Sequence, residues 1–228
     1  MSTALIVDCE TTGLVAPVVP VEVAWVSWNM DGTEDAAEPV CVRLNPGSVP
    51  ITYGAMATHG IAPEDVEHCL PAASFKLPPN DYLIGHNVDY DWSALGKPEC
   101  RRICTLALAR RLWPELDSHS LWACWHYAVL RPGVPRLHSM AHGAATDVIV
   151  CRSVLRAMLG TEKVKDYVGD GGLERLWKLS EVARVPNVMP FGKHKGLPIA
   201  QVPRDYVAWL LDQPDVDPYL RKALTRTR

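Results

Sequence analysis

Short apolar runs give way to longer amphipathic stretches along this chain, and their order predicts a mixed α/β fold. Residues 4–7 are an apolar run ending at Asp8, the mark of a buried strand. Thr11-Thr12-Gly13 then breaks it. Residues 21–28, rich in Val and Trp, predict a second strand, residues 30–33 a turn, and residues 40–44 a third strand. Three strands with short connections predict an antiparallel meander. Residues 52–70 predict short helices, with Pro63 at a first helical position. Strands at 82–84 and 101–104 then alternate with helices at 90–95, 105–112 and 118–130, with Thr105 and Ser118 as caps. After a loop at 131–138, residues 142–159 hold the longest helical pattern, with Val148, Cys151, Leu155 and Leu159 on one face. A meander followed by strand–helix alternation predicts a mixed sheet with helices on its faces.

Three units are expected: a main domain over 1–160, a helical linker over 161–186 and a small basic α+β module over 187–228. The module's expected parts are a hairpin around residues 191–196, a helix over 204–211 and another after Pro218. No internal repeat interrupts this order.

Composition narrows the class without choosing a function. The chain has 228 residues, 48% hydrophobic and 21% charged, the balance of an ordinary globular protein. No stretch approaches the roughly 18 uncharged apolar residues of a membrane span. Asp8 and Glu10 stand where a signal peptide needs apolar residues, so a cytoplasmic setting is expected. Seven cysteines, irregularly spaced and without a C-x-x-C pair, predict reduced thiols, not a zinc site or disulfide framework. Residues 1–160 carry 11 Lys+Arg against 17 Asp+Glu, a net of −6. Residues 161–228 carry 12 against 9, a net of +3, which suits a cation site beside a polyanion-binding module.

Three acidic clusters carry the candidate chemistry. Asp8 and Glu10 sit two apart at a strand end, so both carboxylates face one way. Alone, the pair fits two solvated side chains as well as a divalent-cation site. Thr11, Thr12 and Gly13 follow, a tight turn whose N–H groups and hydroxyls suit a phosphate or terminal sugar. His86, Asn87, Asp89 and Asp91 follow another strand, with Asp91 on the first turn of a helix. Both acids there could also serve merely as helix caps. His142 and Asp147 open the long helix. Five residues turn about 500°, so the two share no helical face and His142 belongs on the loop or a frayed first turn. Four carboxylates with no Cys ligand describe a site for magnesium or manganese. Two such ions roughly 3.5–4 Å apart suit in-line phosphodiester hydrolysis, with His142 as proton acceptor.

Asp8-Cys9-Glu10-Thr11-Thr12-Gly13, His86-Asn87-x-x-Tyr90-Asp91 and His142-x-Ala144-x-x-Asp147 together resemble the three motifs of the DEDD-family (DnaQ-like) 3′–5′ exonucleases. Gly143 stands where the tyrosine subtype has Tyr, which favours the histidine subtype. Residues 55–61, 103–114 and 191–196 are similar to a bacterial branch of the family. The resemblance implies a ribonuclease H-like fold. It implies Asp8, Glu10, Asp91 and Asp147 as ligands of two Mg²⁺ ions (Mn²⁺ as substitute), and His142 as general base. It also implies that Thr11, Thr12, Gly13 and Leu14 hold the 3′-terminal nucleotide. His59 and Asn87 are further substrate-binding candidates, and His138 is a rival to His142 without the motif spacing. Three departures stand out: Cys9 inside the first motif; Asp89, a fifth acid that could hold a lysine or raise the pKa of a neighbour; and Gly143, where the family often has a larger residue, which would loosen His142.

The expected function is a 3′–5′ exodeoxyribonuclease acting in DNA repair or end trimming. It would release 5′-mononucleotides from DNA with a free, single-stranded or frayed 3′ end. An RNA-trimming exonuclease of the same superfamily and an inactive nucleic-acid-binding module are the alternatives. Family members often form homodimers, but no stripe in the sequence fixes that state. Trp25, Trp28, Trp122 and Trp125 are expected in the core, and Lys193, His194 and Lys195 either on a phosphate backbone or docked on the body.

Overall fold

A computed structural model describes residues 2–33, 36–130 and 143–226. The loop at 131–138, His138 and His142 lie outside the described residues. The first three strands are β1 (Ala4–Thr11), β2 (Pro20–Trp28) and β3 (Val40–Asn45). They are joined by β4 (Leu70–Pro71), β5 (Tyr82–Gly85) and β6 (Arg101–Cys104). These form one six-stranded sheet in the order β4-β3-β2-β1-β5-β6. β1–β2 and β2–β3 are antiparallel, as the short connections predict, while β5 joins β1 and β6 joins β5 in parallel.

The chain ends of several elements differ from their sequence signals. β1 runs on past Asp8 to Thr11, because its pairing with β2 continues through Glu10 and, across a register shift, to Thr11 opposite Pro20. β4, two residues long and parallel to β3, is too short for an alternating pattern to reveal. The helix after β5, α2 (Val88–Ala94), starts earlier than its apolar pattern suggests, with Asn87 left-handed at its head (φ 75°). The helix after β6, α3 (Thr105–Leu112), is preceded by Cys104 at its cap position. Thr105 is its first residue, and its buried hydroxyl donates to the Gly85 carbonyl at 3.2 Å. In α4 (Leu121–Ala128) the cap is Ser120, whose hydroxyl accepts the Ala123 N–H at 3.3 Å.

Alternation along β1 sorts the core into two layers. Ala4 and Ile6 face the larger cluster, where α5 (Ala144–Leu159) contributes Val148, Cys151 and Leu155 and α4 contributes Trp125. Leu5, Val7 and Cys9 face the smaller cluster with Leu83 and Val88. Trp28, Trp122 and Trp125 are buried as expected, while Trp25 is only partly buried against Phe75. α1 (Tyr53–His59) is capped by Thr52 and closes over a third cluster of Val21, Ile51, Ile61 and Val66.

The segment 161–186 forms α6 (Glu162–Val168) and α7 (Gly172–Arg184). Both pack into the main core through Val164, Val168 and Leu176. Beyond them, α8 (Arg204–Leu211) and α9 (Pro218–Arg226) surround a core of their own, with Met189, Ile199, Val207, Leu210, Leu220 and Leu224 buried. The hairpin expected around 191–196 is short: Val188 bridges Pro198 antiparallel, the Met189 N–H donates to the Leu197 carbonyl at 2.9 Å and the Ile199 N–H to the Asn187 carbonyl at 3.0 Å, and a 3₁₀ turn over Gly192–His194 forms the tip.

A buried arginine fastens these parts together. The Arg184 side chain, 3% exposed, donates to both Asp89 oxygens at 3.1 Å, to Tyr219 Oη at 2.6 Å and to the Arg102 carbonyl at 3.2 Å. α7, α2, α9 and β6 thus share one cation. Tyr219 passes its own proton to Glu181 at 3.0 Å. Asp89 therefore holds two arginines, Arg184 and Arg102, in place of the lysine the sequence suggested, and its charge, the other role suggested, adds to the rise of the Asp91 pKa. Arg184→Ala is expected to lower unfolding free energy by about 2–3 kcal/mol, read from urea denaturation. That lies below the range for a fully buried pair because Asp89 is 40% exposed and keeps Arg102. Arg184→Met, which refills the space, should lose less.

Candidate functional site

The acidic cluster forms where β1 meets the start of α5. Asp8 and Glu10 leave β1 on the face that α5 covers, two residues apart as the pleat requires. α5 begins after Gly143, whose carbonyl accepts the Asp147 N–H at 3.0 Å, so Asp147 stands in the first turn. Oxygens of Asp8, Glu10 and Asp147 all fall within 4.8 Å of one another. Trp122, expected only to fill the core, donates its indole N–H to Asp147 Oδ1 at 2.9 Å.

Asp91 reaches the site from α2. It is buried, and its Oδ1 accepts the Cys9 N–H across the sheet end at 2.9 Å. It stands outside the 4.8 Å group, yet close enough that its charge weighs on Asp8 and Glu10. The Cys9 side chain points into the opposite layer.

Glu22 is a member of this surface that the sequence pattern did not single out. In the β1–β2 register it lies directly opposite Glu10. Its Oε1 accepts the Ala144 N–H at 3.2 Å, tying the α5 N-terminus to the sheet, and Arg43 approaches Oε2 at 3.4 Å. Counting the pairing of two strands whose register was still unknown was the one signal that could have found it.

Burial and mutual repulsion dominate the electrostatics of the cluster. Burial, then the charges of Asp91, Asp147, Glu10 and Glu22, hold the Asp8 carboxyl well above its ordinary value. Burial and the charges of Asp147, Glu22 and Asp91 push Glu10 up to about 8. Burial raises Asp91 to about 7, against the pull of the Cys9 N–H. Asp8, Glu10 and Asp91 form no ion pair with Lys or Arg among the described residues. Carboxylate oxygens without nitrogen or sulfur donors fit a hard divalent cation, which would relieve this repulsion.

A stability test follows from these directions. The folded values of Glu10 and Asp91 lie above their ordinary 4.5 and 3.8, so the folded chain binds more protons than the unfolded one. Without divalent ions, stability is therefore fully present below about pH 4 and falls as pH rises through about 7 and 8. Thermal melts in EDTA should show this loss, and millimolar Mg²⁺ should restore most of it at pH 8. A melting temperature that rises from pH 5 to pH 8 in EDTA would contradict the cluster's electrostatics.

The turn after β1 is built differently from its sequence reading. Thr11 and Thr12 are buried, and their hydroxyls are already engaged. Thr11 Oγ1 meets Tyr90 Oη and the Gly13 carbonyl, and Thr12 Oγ1 accepts the Val19 N–H at 3.1 Å. The Thr12 N–H donates to the Val19 carbonyl at 2.9 Å. Gly13 (φ 151°) presses against Thr52, where a Cβ would come within 2.9 Å of the hydroxyl. The turn therefore presents Leu14 and Val15, which are 86% and 84% exposed.

His59 braces the same turn. Its Nδ1 accepts the Ile61 N–H at 3.0 Å, so Nε2 carries the proton and donates it to the Thr11 carbonyl at 3.2 Å. Burial lowers its pKa, which keeps it neutral. Asn87 is exposed at the head of α2, its side chain turned away from capping duty. His86 is held between Thr105 at 3.0 Å and the His119 carbonyl at 2.8 Å, and burial pulls it down to about 4.

Known proteins share both sequence and fold with this chain. Exodeoxyribonuclease 10 of Escherichia coli K12 is 29% identical over 234 residues, covering 96% of each chain. The structure of exonuclease X in complex with 5′-overhanging duplex DNA superposes with a TM-score of 0.60 at 26% identity, covering 78% of this chain and 99% of that one. The zinc-bound form of the Escherichia coli exonuclease I complex with single-stranded DNA shares the fold, with a TM-score of 0.58 at 21% identity, over 74% of this chain and 43% of its own. Residues 177–214 match a family described as "Putative quorum-sensing-regulated virulence factor". Among the described residues, no helix is long and apolar enough to cross a membrane. With its mixed six-stranded sheet and its full-length likeness to exodeoxyribonuclease 10, the chain is a relative of the DnaQ-like 3′–5′ exonucleases.

Proposed function

We propose that this chain is a divalent-metal-dependent 3′–5′ exodeoxyribonuclease that removes 5′-mononucleotides from free 3′ ends of DNA. The observation that carries this reading is the convergence of Asp8, Glu10 and Asp147, from β1 and α5, within 4.8 Å. Asp8, Glu10 and Asp147, with Asp91 beside them, would hold magnesium, with manganese as a substitute. When bound, the cations supply charge stabilisation for the attacking and leaving oxygens of the scissile phosphodiester.

The chain's own residues do the rest. Asp91 is fixed by the Cys9 N–H and Asp147 by the Trp122 indole, so both carboxylates are set before substrate arrives. His142, one residue before the Gly143 cap of α5, takes the proton of the attacking water as general base. The Thr11–Gly13 turn, made rigid by Tyr90 and His59, presents Leu14 to the terminal nucleotide and excludes water on that side. Thr11 and Thr12 thus serve the substrate by shaping this turn, and Asn87 offers an exposed amide on its other flank. Contacts to backbone and terminal sugar give little sequence preference. The setting is cytoplasmic, and the three-part organisation over 1–160, 161–186 and 187–228 belongs to the same proposal.

A digestion panel tests it: matched single-stranded DNA, duplex DNA and RNA, each labelled at the 5′ end, with magnesium or EDTA. Stepwise shortening of labelled DNA in magnesium alone is the expected result. Loss of the label as a mononucleotide, faster attack on RNA, or digestion in EDTA would overturn it.

A further inference from the structure

We infer that the C-terminal module carries a second contact for single-stranded DNA, outside the carboxylate cluster. In it, bases stack on a row of rings formed by His194, Tyr206 and Trp209, and phosphates pair with Lys193, Lys195 and Arg204. The inference rests on the exonuclease reading only for the identity of the polyanion.

The row is continuous and runs from half-buried His194 and Tyr206 to exposed Trp209. The His194 ring meets the Tyr206 ring edge-on at 4.6 Å, and the Tyr206 ring meets Trp209 at 5.4 Å. Tyr206 and Trp209 are three apart on α8, hence on one helical face. Val207 and Leu210 fill the module's core from the neighbouring face, Tyr206 is half-buried against that core, and Trp209 stands 54% exposed at the outer end of the row. Phe191, 47% exposed, extends the apolar surface from the 3₁₀ turn. The turn itself is pressed onto the row: a Cβ on Gly192 (φ 72°) would lie 2.8 Å from Tyr206 Oη. An exposed indole held in place by the rings behind it is what base stacking needs.

Charge favours the same ligand. Residues 187–228 hold seven Lys+Arg against four Asp+Glu, whereas residues 1–160 are acidic. Lys193 and Lys195 flank His194, and Arg204 opens α8, all three exposed. None of them forms an ion pair among the described residues, although Asp205 follows Arg204 directly. A basic rim around an aromatic row suits a strand that passes its phosphates along one side and its bases along the other.

The test uses the full chain and a fluorescein-labelled 30-nucleotide dT strand in EDTA, so that binding is read without turnover. Trp209→Ala should weaken binding about 10-fold, and Trp209→Phe should restore most of it. Lys193→Ala combined with Lys195→Ala should flatten the dependence of log Kd on log salt by about 1.4. With magnesium, both variants should hydrolyse a dinucleotide as the wild type does, since that substrate occupies the carboxylate site alone. Wild-type affinity and salt slope in both variants would overturn the inference. Binding lost in the variants while the wild type fails to digest DNA would support this face and sink the exonuclease reading.

Discussion

Replacing Asp8 by Asn is expected to abolish turnover, by about 10³-fold or more, while leaving the metal-free protein as stable as the wild type or more so. The two halves have one cause. Asp8 sits among Asp91, Asp147, Glu10 and Glu22, and burial with these charges already drives its carboxyl toward the protonated form. A neutral amide removes that repulsion among the carboxylates. It also removes one of the three carboxylates that converge within 4.8 Å. Digestion of 5′-labelled DNA in magnesium reads the first half, and thermal melts at pH 8 in EDTA the second. A variant with near-wild-type rate would remove Asp8 from the ligand set. A variant that melts far below the wild type in EDTA would show that the carboxylate is structural.

His142→Ala should slow hydrolysis by about 10²–10⁴-fold with cation affinity unchanged. His142 lies outside the described residues, directly before Gly143. Gly143 caps α5, and its carbonyl takes the N–H of Asp147, so the covalent chain leads directly from residue 142 into the cluster. An imidazole titrating near pH 6.5 is suited to take a proton at neutral pH. The acid limb of the wild-type pH–rate profile should therefore disappear in the variant. Calorimetry separates the roles: if magnesium affinity collapses, His142 is a ligand and not a base.

How much of this could be read in advance depended on range along the chain. Asp8 and Glu10 were legible because a two-residue period is local, and Asp147 because it opens the longest amphipathic pattern. Glu22 was not, since its place opposite Glu10 exists only once β1 and β2 are in register. The threonines misled for a related reason. Hydroxyls beside a glycine look available in sequence, but Val19 and Tyr90, 7 and 79 residues from their partners, had already engaged them. Arg184 gave no signal at all, because its partners at Asp89 and Tyr219 lie 95 and 35 residues away.

The register shift between Glu10 and Thr11 bears on how this molecule tolerates change in chain length. Ladder pairing up to that point locks the phase of the pleat, and a single inserted or deleted residue in β1 would turn Asp8 and Glu10 into the layer of Leu5, Val7 and Cys9. Thr11 still pairs with Pro20 and Thr12 with Val19, but past Gly13 the ladder ends, so length variants there would reshape only the protruding tip at Leu14 and Val15. Drift in this lineage should accordingly fall after the bulge, where it retunes the grip on an incoming strand end and leaves the hydrolytic machinery in phase.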